Sequence, residues 1–145
     1  MSISQNVRFR RGMDKENSSS SPPGERLTIE LSDALKNGGW QPGDYDNWRD
    51  MGWCLPVRAG SERLAIYLAV TEPGEWMLQI APAYLPGAIA KLFGRQASAT
   101  SESCYELARA VNGFLASNKS ETIGWCWDGF PEPGHPSDPQ PVGNS

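Results

Sequence analysis

Histidine is nearly missing from this chain of 145 residues: the only one, His135, sits between Gly134 and Pro136 close to the C-terminus. General acids and bases working near neutral pH are most often histidines. With none in the middle of the chain, no Ser-His-Asp or Cys-His arrangement can be assembled there, and no catalytic residue is assigned. Cysteine is scarce too. Cys54, Cys104 and Cys126 are odd in number and show neither a CxxC pair nor a metal-type spacing, so a disulfide framework and a zinc site are both disfavoured and no cofactor is expected. Cys104, near the start of a predicted helix, is the one thiol placed to gain reactivity from a helix N-terminus; its plain alternative is a small core residue.

Long apolar runs are absent as well. Nothing approaches the roughly 18 consecutive apolar residues that suggest a membrane span. The opening MSISQNVRFRRGMDKEN lacks the apolar stretch of a secretory signal. Unpaired thiols and no export signal together lead to the expectation of a cytoplasmic protein without a membrane partner. Excess positive charge is missing: the net charge is −4 and the isoelectric point about 5.0. Nucleic-acid binding needs clustered Lys and Arg to displace counterions, and Arg8-Phe9-Arg10-Arg11 is too short a basic run to provide it.

What the chain does have is tryptophan. All six lie between Trp40 and Trp127, while both ends are rich in Ser, Pro, Gly, Asn and charge. Such ends bury little and keep their backbone solvated. Three regions are therefore expected: a disordered leader over residues 1–26, one folded domain over 27–130, and a Pro-rich disordered tail over 131–145. A single core suits this length.

Within the domain, apolar spacing predicts a helix over 29–37, capped by Ser32 or Asp33 and stopped by Asn37-Gly38-Gly39. Gln41–Gly52 is predicted as a loop. Cys54–Val57 is predicted as a short strand, held to an edge because Pro56 cannot donate to a ladder. Leu64, Ile66, Leu68 and Val70 alternate with smaller or polar residues, as do Trp76, Leu78 and Ile80. Period-2 alternation on both sides of Glu72-Pro73-Gly74 predicts a hairpin over about 62–81. Gly87–Phe93 reads as one or two helical turns. Residues 101–117 carry Cys104, Leu107, Ala108, Val111, Phe114 and Leu115 at helical spacing, with Thr100, Ser101 or Ser103 as the cap. Thr122–Asp128 is predicted as a strand able to pair with either hairpin strand or with the Cys54 segment. The fold expected from this order is α+β: a small antiparallel sheet with helices packed on one face.

Two aromatic clusters are candidate partner-binding sites. In the first, Asp44, Tyr45, Asp46, Trp48 and Asp50 form DYDNWRD. A calcium loop counted from Asp44 would need Gly at its sixth place and Glu at its twelfth; Arg49 and Leu55 stand there, so no metal is assigned. A solvated acidic loop is the bland reading, and an acidic surface for a basic partner protein the sharper one. In the second, Trp125, Trp127 and Asp128 lie on the last strand, where the rings are either core or a platform for a sugar or a peptide proline. DALKNGGWQPGD, about a tenth of the chain, resembles the first helix and Gly-Trp turn of small bacterial immunity and chaperone-like α+β proteins, and carries no residue assignment. The expectation is a non-enzymatic protein-binding module, of adaptor, immunity or chaperone-like type, with a small-ligand or carbohydrate binder as the alternative.

Overall fold

The computed structural model describes residues 4–12, 23–48, 50–83, 100–118, 120–131 and 136–141. Among them are seven strands and two helices, consistent with the α+β class. In chain order they are β1 (Gln5–Arg10), α1 (Glu25–Asn37), β2 (Gln41–Pro42), β3 (Asp46–Trp48), β4 (Gly52–Ala59), β5 (Glu62–Glu72), β6 (Glu75–Pro82), α2 (Ser101–Ser117) and β7 (Glu121–Trp127). The sheet is antiparallel in the order β2-β4-β5-β6-β1-β7, with β3 also paired to β4.

Alternation decides what is buried. On β5, Leu64, Ile66 and Leu68 are at most 2% exposed, and their cross-strand partners Val57, Leu55 and Trp53 on β4 and Leu78 and Ile80 on β6 are buried with them. Trp76 follows in the same row, paired to Val70 and to Phe9, on which its ring stacks at 6.2 Å. Apart from Trp53, this row and the apolar residues Leu27, Leu31 and Leu35 of α1 and Leu107, Val111 and Leu115 of α2 belong to or pack against one core cluster. Fully burying each such side chain contributes about 1.5–3 kcal/mol before conformational entropy is charged against it. Thr100 caps α2 through its side chain, which accepts the Ser103 N–H at 3.2 Å.

Several expected boundaries move. Residues 5–10, assigned to a disordered leader, form β1 between β6 and β7, with Val7 and Phe9 fully enclosed. Arg8 and Arg10 made this segment read as solvated; their charges are met by Glu75, 65 residues along the chain from Arg10. The last strand accordingly pairs with β1, and not with the hairpin strands or the Cys54 segment. Helix α1 starts four residues earlier than the 29–37 expected, at Glu25, and Gly24 stands at its N-cap in place of Ser32 or Asp33. Thr28 supplies the polar contact there by donating its hydroxyl to the Gly24 carbonyl at 2.8 Å.

The loop expected over 41–52 contains β2 and β3. They cover different halves of β4: β2 pairs with Val57 and Arg58, and β3 with Gly52–Cys54. Pro56 falls in the gap between them, so a strand with neighbours on both sides still accommodates a residue lacking an N–H. Its carbonyl accepts the Gly43 N–H at 2.8 Å.

Within the tail expected to be disordered over 131–145, residues 136–141 bond along β7. Prolines cannot continue a ladder, so other groups seal the outer side of β7. The Ser137 N–H donates to the Ile123 carbonyl at 2.9 Å, and the Ser137 hydroxyl accepts the Trp125 N–H at 2.8 Å and donates to the Trp125 carbonyl at 3.0 Å. Gln5 on β1 makes a two-way bond with the backbone of Gln140. The predicted turns at Gly87–Phe93 and the histidine His135 lie outside the described residues.

Candidate functional site

The two candidate clusters come to opposite edges of the sheet. From β3 across β4, β5, β6 and β1 to β7 there are five inter-strand spacings, roughly 24 Å at about 4.8 Å each. They do not form one surface patch.

At the β3 edge, short polar side chains write the local structure. The Asp46 carboxylate accepts the Asn47 N–H at 2.8 Å, and the Asn47 side-chain oxygen accepts the Asp50 N–H at 2.7 Å. These are the bonds by which Asx residues favour turns. Asp50 takes φ 58, and the Met51 N–H donates to the Trp48 carbonyl at 2.9 Å. Gly52 completes the turn. A Cβ there would collide with the backbone carbonyl oxygen of Leu68, so no other residue lets β4 approach β5 at this point.

The result is an edge whose carboxylates face water. Asp44, Asp46 and Asp50 are exposed, and none is in an ion pair among the described residues. Beside them Trp48 is half-buried with its ring 4.9 Å from that of Tyr67, and Met51 is 59% exposed. Tyr45 is tied inward: its hydroxyl donates to the Glu25 carboxylate at 2.9 Å and its ring meets Trp53 edge-on. The bond to Glu25 holds the phenol protonated, and burial and the nearby negative charge also raise its pKa.

At the β7 edge the rings are occupied. Trp125 is 2% exposed and donates its indole N–H to Asn112 on α2 at 3.0 Å. Trp127 is half-buried and donates to the Gln140 carbonyl of the tail at 3.0 Å. Of that cluster Asp128 alone is exposed, at φ 53.

The thiols are poorly placed for nucleophilic work. Burial, reinforced by Glu62, pushes the Cys104 pKa up to about 12, and the side chain is fully enclosed. Burial first and Asp46 second raise Cys54; burial first and Asp128 second raise Cys126. A thiol held protonated is a weak nucleophile at neutral pH. Among the described residues no group of three or more His, Cys, Asp or Glu is close enough to hold a metal ion. No helix among them is long and apolar enough to cross a membrane.

Two cavities were not legible in the sequence. One, of about 400 Å³, lies between the C-terminal ends of the helices, with Trp40 and Phe114 as its large walls and Gly38 and Gly113 giving it room. The other, of about 190 Å³, opens at the end of β1 beside Arg10, Arg11 and Glu121. Only the arginine run hinted at the second, and it was too short to interpret. No protein-family model and no curated protein matches the chain.

Proposed function

We propose that the chain is a non-enzymatic protein-binding module whose contact surface is the β3 edge, with a basic protein as its partner and both helices packed on the far, core side of the sheet. One observation carries this reading: three exposed carboxylates, Asp44, Asp46 and Asp50, stand without a cationic partner among the described residues, flanking Trp48 and the exposed Met51. Desolvated aromatic and Met side chains supply affinity, and surrounding charge supplies on-rate and selectivity. The edge position adds backbone groups of β3 that a partner strand could pair with. The Trp125/Trp127 pair supports the alternative ligand-binding reading less well, because one ring is enclosed and the other bonded to the chain's own tail.

The test is capture of partners from native lysate by the full chain, compared with the triple variant Asp44→Asn, Asp46→Asn, Asp50→Asn and with Trp48→Ala. Capture should fall in both variants. For the unaltered chain it should also weaken as salt rises from about 0.05 to 0.5 M, as the screening length shortens. Equal capture by the triple variant at low salt removes the basis of this reading.

A further inference from the structure

One end of the sheet gathers arginines in this acidic protein. Four guanidinium groups there share two carboxylates. Glu75, 6% exposed in its side chain, is approached by Arg10 at 3.0 Å and Arg8 at 3.9 Å. Glu30 is approached by Arg11 at 3.4 Å and Arg26 at 3.6 Å. Glu121, opposite Arg10 on β7, is the third carboxylate beside them, so four guanidinium groups meet three carboxylates among the described residues, in a chain whose net charge is −4.

Four of the five buried side-chain atoms without a partner among the described residues belong to this stretch of β1 and β7 or to the residues next to it. Among the described residues, the Arg8 Nε and Arg11 Nη1 atoms are enclosed without a hydrogen bond, and so are the hydroxyls of Ser120 and Thr122, which flank Glu121. Native proteins keep few such groups, so each asks for an explanation. The β7 backbone is also irregular here. Its register against β1 shifts between Arg8 and Arg10, and Thr122, a β-branched residue, is held at φ 47. Bulges and strained conformations of this kind concentrate beside functional sites.

Of these residues Arg10, Arg11 and Glu121 meet at one opening. The cavity of about 190 Å³ is lined by Arg10, Arg11, Gly12, Gly74 and Glu121. Arg11 lines it with only 8% of its side chain exposed, anchored by Glu30 on one side and by its carbonyl, which accepts the Trp76 indole N–H at 3.1 Å, on the other. Gly74 takes the left-handed φ of 84 that glycine favours, and the Arg10 guanidinium lies beside it, 3.5 Å from where a Cβ would stand.

We propose that this cavity is a binding site for a small phosphate-type oxyanion, held by the Arg10 and Arg11 guanidinium groups and opposed by the carboxylate of Glu121. Arginine's planar fork suits tetrahedral oxyanions, and charge-assisted bonds to it are the strong ones. The Glu121 carboxylate opposes the anion and so weakens the site.

Titration calorimetry of the full chain at constant ionic strength tests this, with sodium phosphate, phosphoserine and sodium chloride as the three probes. Phosphate or phosphoserine should bind saturably and chloride should not; the tighter of the two tells whether the free ion or a monoester is the preferred form. Arg10→Gln should weaken binding about tenfold, and Glu121→Gln should tighten it about threefold. Both residues are exposed enough for the variants to fold, which thermal unfolding would verify. Absence of saturable binding by either oxyanion, or binding that neither variant changes, overturns the proposal.

Discussion

The two edges of the sheet begin from similar sequence and end differently. Each combines tryptophan with aspartate: Trp48 with Asp46 and Asp50 on one side, Trp125 and Trp127 with Asp128 on the other. At β7 the chain closes its own edge, with Ser137 occupying the hydrogen-bonding positions of Ile123 and Trp125 and with Gln140 bonded to Gln5 and Trp127. At β3 the strand is three residues long, and the groups around it are carboxylates. Short, charged edge strands resist indiscriminate pairing, and among the described residues no segment pairs with the outer side of β3. The lesson is that an aromatic-acidic motif does not identify a recognition surface. What distinguishes the two is whether another part of the chain has already claimed the edge.

Truncating each tryptophan gives the largest contrast. Trp125→Ala should cost about 3–5 kcal/mol of stability, as expected for emptying an enclosed aromatic site and orphaning the Asn112 carbonyl. Trp48→Ala, at a half-buried position, should cost about 1–2 kcal/mol. Urea unfolding of the two variants measures the difference, and equal losses would mean that the edges are alike in packing.

Opening the β7 edge should have a smaller effect. Removing residues 136–145 deletes the bonds to Ile123, Trp125, Gln5 and Trp127, for a loss of about 1–3 kcal/mol. Trp127 should then show red-shifted fluorescence, and the bared edge should self-associate in sedimentation. Ser137→Ala alone should reproduce about 1 kcal/mol of the loss. A truncated chain as stable and as monomeric as the parent would show that the tail does not seal the sheet.

The thiols sharpen the comparison through pH. Each edge strand or its neighbour carries a cysteine with a raised pKa, Cys54 beside Asp46 and Cys126 beside Asp128, and Cys104 lies in the core between. Because the folded-state values exceed those of the unfolded chain, their contribution to stability is complete below about pH 9. It declines as the unfolded thiols ionise, over a window that for Cys104 runs from 9.0 to about 12. Alkylation at pH 7.5 should therefore be slow at Cys54 and Cys126 and undetectable at Cys104 until the protein unfolds. Rapid labelling of Cys104 in the native state would contradict its enclosure.

How much of this was legible beforehand depends on the range of the interactions involved. The burial of Cys104, Leu107, Ala108, Val111, Phe114 and Leu115 on α2 follows from spacing within one helix, and that of Leu64, Ile66, Leu68, Trp76, Leu78 and Ile80 from alternation within single strands. By contrast, β1 was hidden. Val7 and Phe9 alternate over only a few residues with Arg8 and Arg10, whose partner Glu75 is far along the chain. The same holds for the candidate site: DYDNWRD could be recognised as acidic and aromatic, but not as an edge, and nothing local linked Arg10 and Arg11 to Gly74 and Glu121.

By itself, then, the sequence determined the α+β class, the apolar faces of α2 and the β5 and β6 strands, and the scarcity of groups suited to acid-base chemistry, because each is written in residue identity or in the 3.6- and 2-residue periods of single elements. Tertiary structure alone decided that the N-terminal segment lies inside the sheet, that residues 136–141 cover the β7 edge, and that four arginines converge on two carboxylates. Those outcomes depend on which distant segments meet, and a period measured along the chain carries no information about its partner across it.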